Sequence, residues 1–99
     1  MAQLTAAERL AKVKTALGMN GSNYQDDTLN IYIDEVMEFM IDAGVQREVA
    51  ESKAAVGCIV IGVNDLWNYS SGGVRFSDFF KSRVVQLSMK KVETDVQTQ

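Results

Sequence analysis

Three acidic residues, Asp34, Glu38 and Asp42, recur at i, i+4 and i+8 and so share one face of a helix. Paired carboxylates on one face are the raw material of a glycosidase acid–base pair or of an oxygen-ligand magnesium site. That face opposes the apolar stripe of the same segment, and no second cluster closes over it, so an active site there is not expected. The single cysteine, Cys58, sits among Val56, Ile59 and Val60 with no base near it in sequence, the setting of a small buried hydrophobe rather than a nucleophile. Gly18 to Gly21 (GMNG) lacks the lysine and the preceding strand of a phosphate loop. Gly72-Gly73 followed by Arg75 could cradle an anion, although a two-glycine turn is a motif of low specificity. Arg75, Lys81 and Arg83 could touch phosphates, but the neighbouring Phe76, Phe79 and Phe80 read better as core and interface than as base-stacking platforms. There is no histidine, which removes the usual general base and metal ligand, and one cysteine excludes an internal disulfide or a multi-cysteine zinc site. The chain is therefore not expected to be an enzyme, and no cofactor or metal is implied.

Charge is more informative than any single motif. Between Asp26 and Glu51 eight acids face one base, Arg47, a net charge of −7. Between Arg75 and Lys91 five bases (Arg75, Lys81, Arg83, Lys90, Lys91) face one acid, Asp78, a net charge of +4. Three arrangements fit this split: two solvated helix faces, pairing of the two flanks within one subunit, or an acidic flank meeting the basic flank of the next subunit. The last is a heterologous contact, which repeats and closes into a ring if the rotation permits. Overall the net charge is −3, without the basic character that general nucleic-acid binding requires.

The elements that must position these residues are helical. The 99 residues make one domain, with ordinary globular usage of 46% hydrophobic and 23% charged residues, which excludes a disordered chain. No apolar run approaches the roughly 18 residues that would span a bilayer. The first residues lack a signal-peptide core, so export is not expected. Proline is absent, as suits a chain that is mostly helix. Thr5 and Glu8 have capping-box spacing, Leu10, Val13 and Leu17 form a narrow stripe, and Gly18 stops the first helix. The second helix is capped by Asp26 or Asp27, carries Leu29, Ile33, Val36, Met37 and Met40, and stops at Gly44. Its extra apolar residues, Tyr32 and Phe39 among them, fit a central helix packed on two neighbours, or else a face that meets another subunit. Val45 to Glu51 reads as a short helical turn.

The third helix is expected from about Ser52 to Tyr69, with Val56, Ile59, Val63 and Leu66 inward. GCIVIGV carries strand-like β-branching, but it continues into Asn64-Asp65-Leu66-Trp67-Asn68 without a turn signal, so helix is preferred. Its two interior glycines, Gly57 and Gly62, each cost about 1 kcal/mol in a helix, which close packing would offset. Ser70-Ser71-Gly72-Gly73 breaks the chain, Val74-Arg75-Phe76 is extended, and Ser77 caps a fourth helix running to about Lys90. The expectation is an all-α fold, a small bundle of four main helices, with any β content confined to Gly72 to Phe76. Residues 1–91 form the single domain and 92–99 a flexible tail. Leu10, Leu17, Ile33, Val36, Met40, Ile59, Val63, Leu66, Phe80 and Val84 should be buried. Trp67 and Tyr69, at the end of the third helix, are core by default and partner anchors as the alternative.

This order of elements, with DDTLNIYIDEVMEFMIDAGV and then AAVGCIVIGVNDLWNYSSGGVRFSDFFKSRV, resembles the small head–tail connector (adaptor) proteins of long-tailed, siphovirus-type bacteriophages. The similarity spans roughly Leu10 to Leu87. Its most specific part is Asp65-Leu66-Trp67-Asn68-Tyr69 paired with Ser71-Gly72-Gly73 and then Phe76-Ser77. The resemblance implies a non-enzymatic virion protein of the neck, assembled in the host cytoplasm as a ring of itself under the portal protein, with twelvefold symmetry. Such a ring bridges the portal to a stopper or tail-completion protein and lines the exit channel, touching passing phage DNA without sequence specificity; no membrane is involved. It also implies subunit or portal contacts in the loop from Ser70 to Phe76 and in the tail after Lys90. Together with the charge split, the expected interface residues are Asp34, Glu38, Asp42, Trp67, Tyr69, Gly72, Gly73, Arg75, Phe76, Lys81, Arg83, Lys90 and Lys91. The competing reading is a small helical DNA-binding or regulatory module using the basic fourth helix for recognition, against which the bases form no dense stripe.

Overall fold

The computed structural model describes residues 2–68 and 76–90. It contains five α-helices: α1 (Ala6–Leu17), α2 (Asp26–Asp42), α3 (Arg47–Ala50), α4 (Val56–Asn68) and α5 (Asp78–Ser88), with a 3-10 turn, Lys53–Ala55, leading into α4. No strand occurs among the described residues, and the fold is all-α. The four main helices expected from the sequence are α1, α2, α4 and α5; α3 is the short turn expected between Val45 and Glu51. The expectations for residues 69–75 and 91–99, including Tyr69, Gly72, Gly73, Arg75, Lys91 and the tail, lie outside the described residues.

The local signals work as their chemistry dictates. Thr5 Oγ1 accepts from Glu8 N–H at 3.0 Å and Glu8 Oε1 accepts from Thr5 N–H at 2.9 Å, a complete capping box. Gly18 takes φ +74° at the end of α1, where Met19 N–H reaches Lys14 O and Gly18 N–H reaches Thr15 O. Gly44, at φ +108°, ends α2 in the same way, with Val45 N–H on Met40 O and Gly44 N–H on Ile41 O. Both ends have the Schellman pattern, in which a left-handed glycine lets the last carbonyls find donors. Ser77 Oγ accepts from Phe80 N–H and caps α5, which ends at Ser88, short of the expected Lys90.

The start of α2 departs from expectation. Its N-cap is Gln25, and no side chain bonds the orphan amides. Asp26 and Asp27 lie in the first turn, favoured there by the helix dipole. The Asp26 carboxylate pairs with Lys14 Nζ at 2.8 Å, tying α2 to α1.

α2 packs on α4, α1 and α3, but the central helix is α4, which packs on α2, α1, α5 and the 3-10 turn; GCIVIGV within it is helical, as the uninterrupted pattern indicated. Phe80, Leu29, Met40, Ile59, Val36 and Val63 are fully buried, and of the ten residues expected inside, only Leu10 and Leu17 are half-exposed. Both lie on α1, which packs on α4 and α2, and both rest against the edge of the core. Tyr32 meets Trp67 edge-on at 5.8 Å, and Phe39, Phe76 and Phe80 form a cluster with centroids 4.5 to 5.6 Å apart.

The two α4 glycines differ. A Cβ on Gly62 would stand 2.7 Å from Phe80 Cε1 and 2.9 Å from both γ-carbons of Val36, so this glycine is what lets α2, α4 and α5 meet. Gly57 has no such neighbour within 4 Å, so close packing does not explain it.

The N-terminal segment supplies a contact that the sequence expectation placed elsewhere. Gln3 and Ser52 form an isolated antiparallel bridge, with Leu4 N–H on Glu51 O and Lys53 N–H on Ala2 O. Arg9 is buried beneath it, and its Nη2 donates to the carbonyls of both Leu4 and Glu51 at 3.0 Å. Among the described residues the β content is this single bridge, which lies outside the Gly72 to Phe76 segment to which β content was expected to be confined. Extended backbone at Gln3 and Ser52 has no local signature; it exists because Arg9 and the facing chain satisfy its carbonyls.

Candidate subunit interface

Asp34, Glu38 and Asp42 are all exposed along α2, as their spacing requires. With Glu35 they form the rim of an open groove of about 580 Å³ whose floor is Phe39, Leu66 and Phe76. The acidic face thus borders apolar surface instead of lying wholly apart from it. The reason is the aromatic cluster: Phe39 follows Glu38 on α2 and leans onto Phe76 and Phe80, bringing apolar surface to the edge of the acidic row. Ion pairs among the described residues join Lys14 to Asp26 and Arg47 to Glu51; none reaches the groove acids. Among the described residues no acid of α2 is ion-paired with a base of α5. Nor, among those residues, do three or more carboxylate, thiol or imidazole groups converge so as to hold a metal ion.

The basic flank is narrower than its sequence suggests. Lys81 is exposed on α5 and Lys90 is exposed just beyond its end. Arg83 is half-buried: its Nη1 donates to Gln86 Oε1 at 3.3 Å, and its charge acts on Cys58 of α4. Phe79, Val85 and Met89 are 65%, 53% and 73% exposed, an apolar strip on the same helix. Their signal was present in the sequence as apolar residues falling between the core positions Phe80, Val84 and Leu87.

Trp67 and Phe76 are half-buried against Tyr32 and the phenylalanine cluster respectively, so each is partly committed to the fold. Asp65, read in sequence only as part of a run, is buried, and its Oδ2 accepts from Ser77 N–H at 3.0 Å and from Ser77 Oγ at 2.8 Å. The carboxylate thereby sits at the positive end of α5 and holds that helix to α4 across the intervening segment. Cys58 is 1% exposed, and burial pushes its thiol up to about 11, the nearby Arg83 charge acting in the opposite direction. A thiol so placed is almost wholly protonated at neutral pH and makes a poor nucleophile. No helix of the described residues is long and apolar enough to cross a membrane.

The arrangement offers two unlike surfaces, an acid-rimmed apolar groove and an apolar-studded α5 face whose exposed charges are Asp78 and Lys81. Comparison with protein-family models, with curated proteins and with solved structures yields no match to this chain.

Proposed function

We propose that this chain is a structural subunit of a bacteriophage neck, forming a ring under the portal that joins head to tail and lines the DNA exit channel. The observation that carries the reading is the pair of unlike surfaces on one small helical domain, an acid-rimmed apolar groove and an α5 face with exposed Phe79 and Val85 beside Lys81, neither ion-paired within the described residues. Unlike surfaces that fit one another make a head-to-tail contact, and such contacts generate rings when the rotation closes. The resemblance of the Asp65 to Ser77 region to head–tail connectors supplies the biological setting, with portal and stopper or tail-completion proteins above and below. A net charge of −3 suits a channel wall that releases DNA rather than retaining it.

The test is co-assembly with a portal complex from the same genome, followed by native mass measurement and electron microscopy of the product. A stoichiometric ring bound to one end of the portal is the expected result. Failure to bind the portal, combined with tight sequence-specific duplex binding in a gel shift at moderate salt, would replace this reading with a regulatory DNA-binding module.

A further inference from the structure

We propose that Asn20-Gly21, in the connection between α1 and α2, is a self-modification site at which the asparagine amide is lost through a succinimide to give aspartate and isoaspartate. The site needs no ring or portal to act. Both residues are exposed and form the centre of a turn closed by Ser22 N–H on Met19 O at 3.4 Å. The nucleophile is the Gly21 backbone nitrogen, and among the described residues its N–H donates to no acceptor. Glycine has no side chain to crowd the attack on Asn20 Cγ, and the space around it is open: an added Cβ at Gly21 would meet nothing within 4 Å. Asn20 Oδ1 accepts from Thr15 Oγ1 at 2.9 Å, an exposed bond that the product carboxylate can accept as well. The other asparagines are held off the same reaction. Asn30 and Asn64 lie inside α2 and α4, where the next amide is tied into the helix. Asn23 and Asn68 precede bulky tyrosines. Asn23 is held further by Lys14 Nζ on its Oδ1 at 3.1 Å, and Tyr24 N–H is taken by Ser22 Oγ at 3.2 Å.

Water is the one co-reactant. Gly21 N, giving up its proton, bonds to Asn20 Cγ; the Cγ–Nδ2 bond breaks, and the amide nitrogen leaves as ammonia with that proton. A water molecule then opens the ring. Opening at Cγ gives aspartate, and opening at the Asn20 main-chain carbonyl gives isoaspartate, whose backbone runs through the side chain. Either product adds a negative charge to a chain of net charge −3. The charge falls beside the last turn of α1, which holds Thr15, at the helix end where the dipole disfavours an anion. Isoaspartate also lengthens the main chain inside the turn from Met19 to Ser22.

The test is incubation of the purified full-length chain in warm, mildly alkaline buffer, followed over days by intact mass and by peptide mapping that separates aspartate from isoaspartate. Wild type should gain the mass of an amide-to-acid conversion, with both products at residue 20. Gly21→Ala should react about tenfold more slowly, because a methyl group then crowds the attacking nitrogen. Gly21 is not left-handed and its surroundings are empty, so this variant should fold, with circular dichroism as the check. Asn20→Gln is the second control: its longer side chain closes the ring far more slowly, so its mass should hold. A wild-type chain that keeps its mass overturns the proposal, as does a Gly21→Ala or Asn20→Gln chain that reacts at the wild-type rate. Conversion that begins at another asparagine does so too. Aspartate without isoaspartate would mean direct hydrolysis of the amide and would remove the succinimide route.

Discussion

Alanine at Gly62 should destabilise the protein although alanine is the better helix former. The added Cβ would lie 2.7 Å from Phe80 Cε1 and 2.9 Å from both γ-carbons of Val36. Non-bonded carbons settle at about 3.5–4.0 Å, so α2 or α5 must back away by about 1 Å. Neither neighbour has an easy escape: Phe80 and Val36 are both 0% exposed, and valine is stiff at χ1 in a helix. Overpacking of this kind costs about 1–3 kcal/mol, sometimes more, and three clashes from two helices place it at the upper end. Against this, alanine gains about 1 kcal/mol over glycine in a helix interior. The net expectation is a loss of about 2 kcal/mol, or a fall of roughly 10 °C in Tm for a domain of this size.

Gly57 on the same helix is the internal control. Its added Cβ meets open space, so alanine there should stabilise by about 0.5 kcal/mol. Urea and thermal unfolding followed by far-UV circular dichroism read both signs. A Gly62→Ala protein as stable as wild type, or two substitutions that shift stability in the same direction, would refute the packing argument.

Other parts of the fold can be tested as directly. Asp65→Ala should cost about 2 kcal/mol and Ser77→Ala about 1 kcal/mol, with the double variant losing less than their sum because both remove one shared contact; chemical unfolding of all four proteins measures the coupling. Arg9→Met should cost about 1–3 kcal/mol and speed hydrogen exchange at the amides of Leu4 and Lys53, the two donors of the bridge that Arg9 underpins. The Cys58 thiol titrates near 11 when folded, above its ordinary 9.0, so the folded state holds its proton where the unfolded state has lost it. Its contribution to stability is therefore intact below pH 9.0 and drains away as pH rises towards about 11; Tm of wild type should fall more steeply across that window than Tm of Cys58→Ala.

What the sequence by itself determines here is local. Thr5 with Glu8, Gly18, Gly44 and Ser77 mark helix ends through bonds to groups within a few residues, and their spacing is visible in one dimension. The inward stripes of α2 and α4 follow from the helical period, and so does the exposure of Asp34, Glu38 and Asp42. The same local logic misplaced the α2 cap, because Asp26 had a stronger partner in Lys14, 12 residues away in sequence. Only tertiary structure decided the rest. Gly62 matters and Gly57 does not because helices from three parts of the chain converge at one and not at the other. Arg9 and Lys14, polar by type, are buried because carbonyls and carboxylates from distant segments meet their charged heads. Arg83 is half-buried while Lys81 is exposed, and the acidic row of α2 acquires an apolar floor from Leu66 and Phe76. Each of these depends on which surfaces come together, a property of pairs of elements that the pattern along any one of them does not contain.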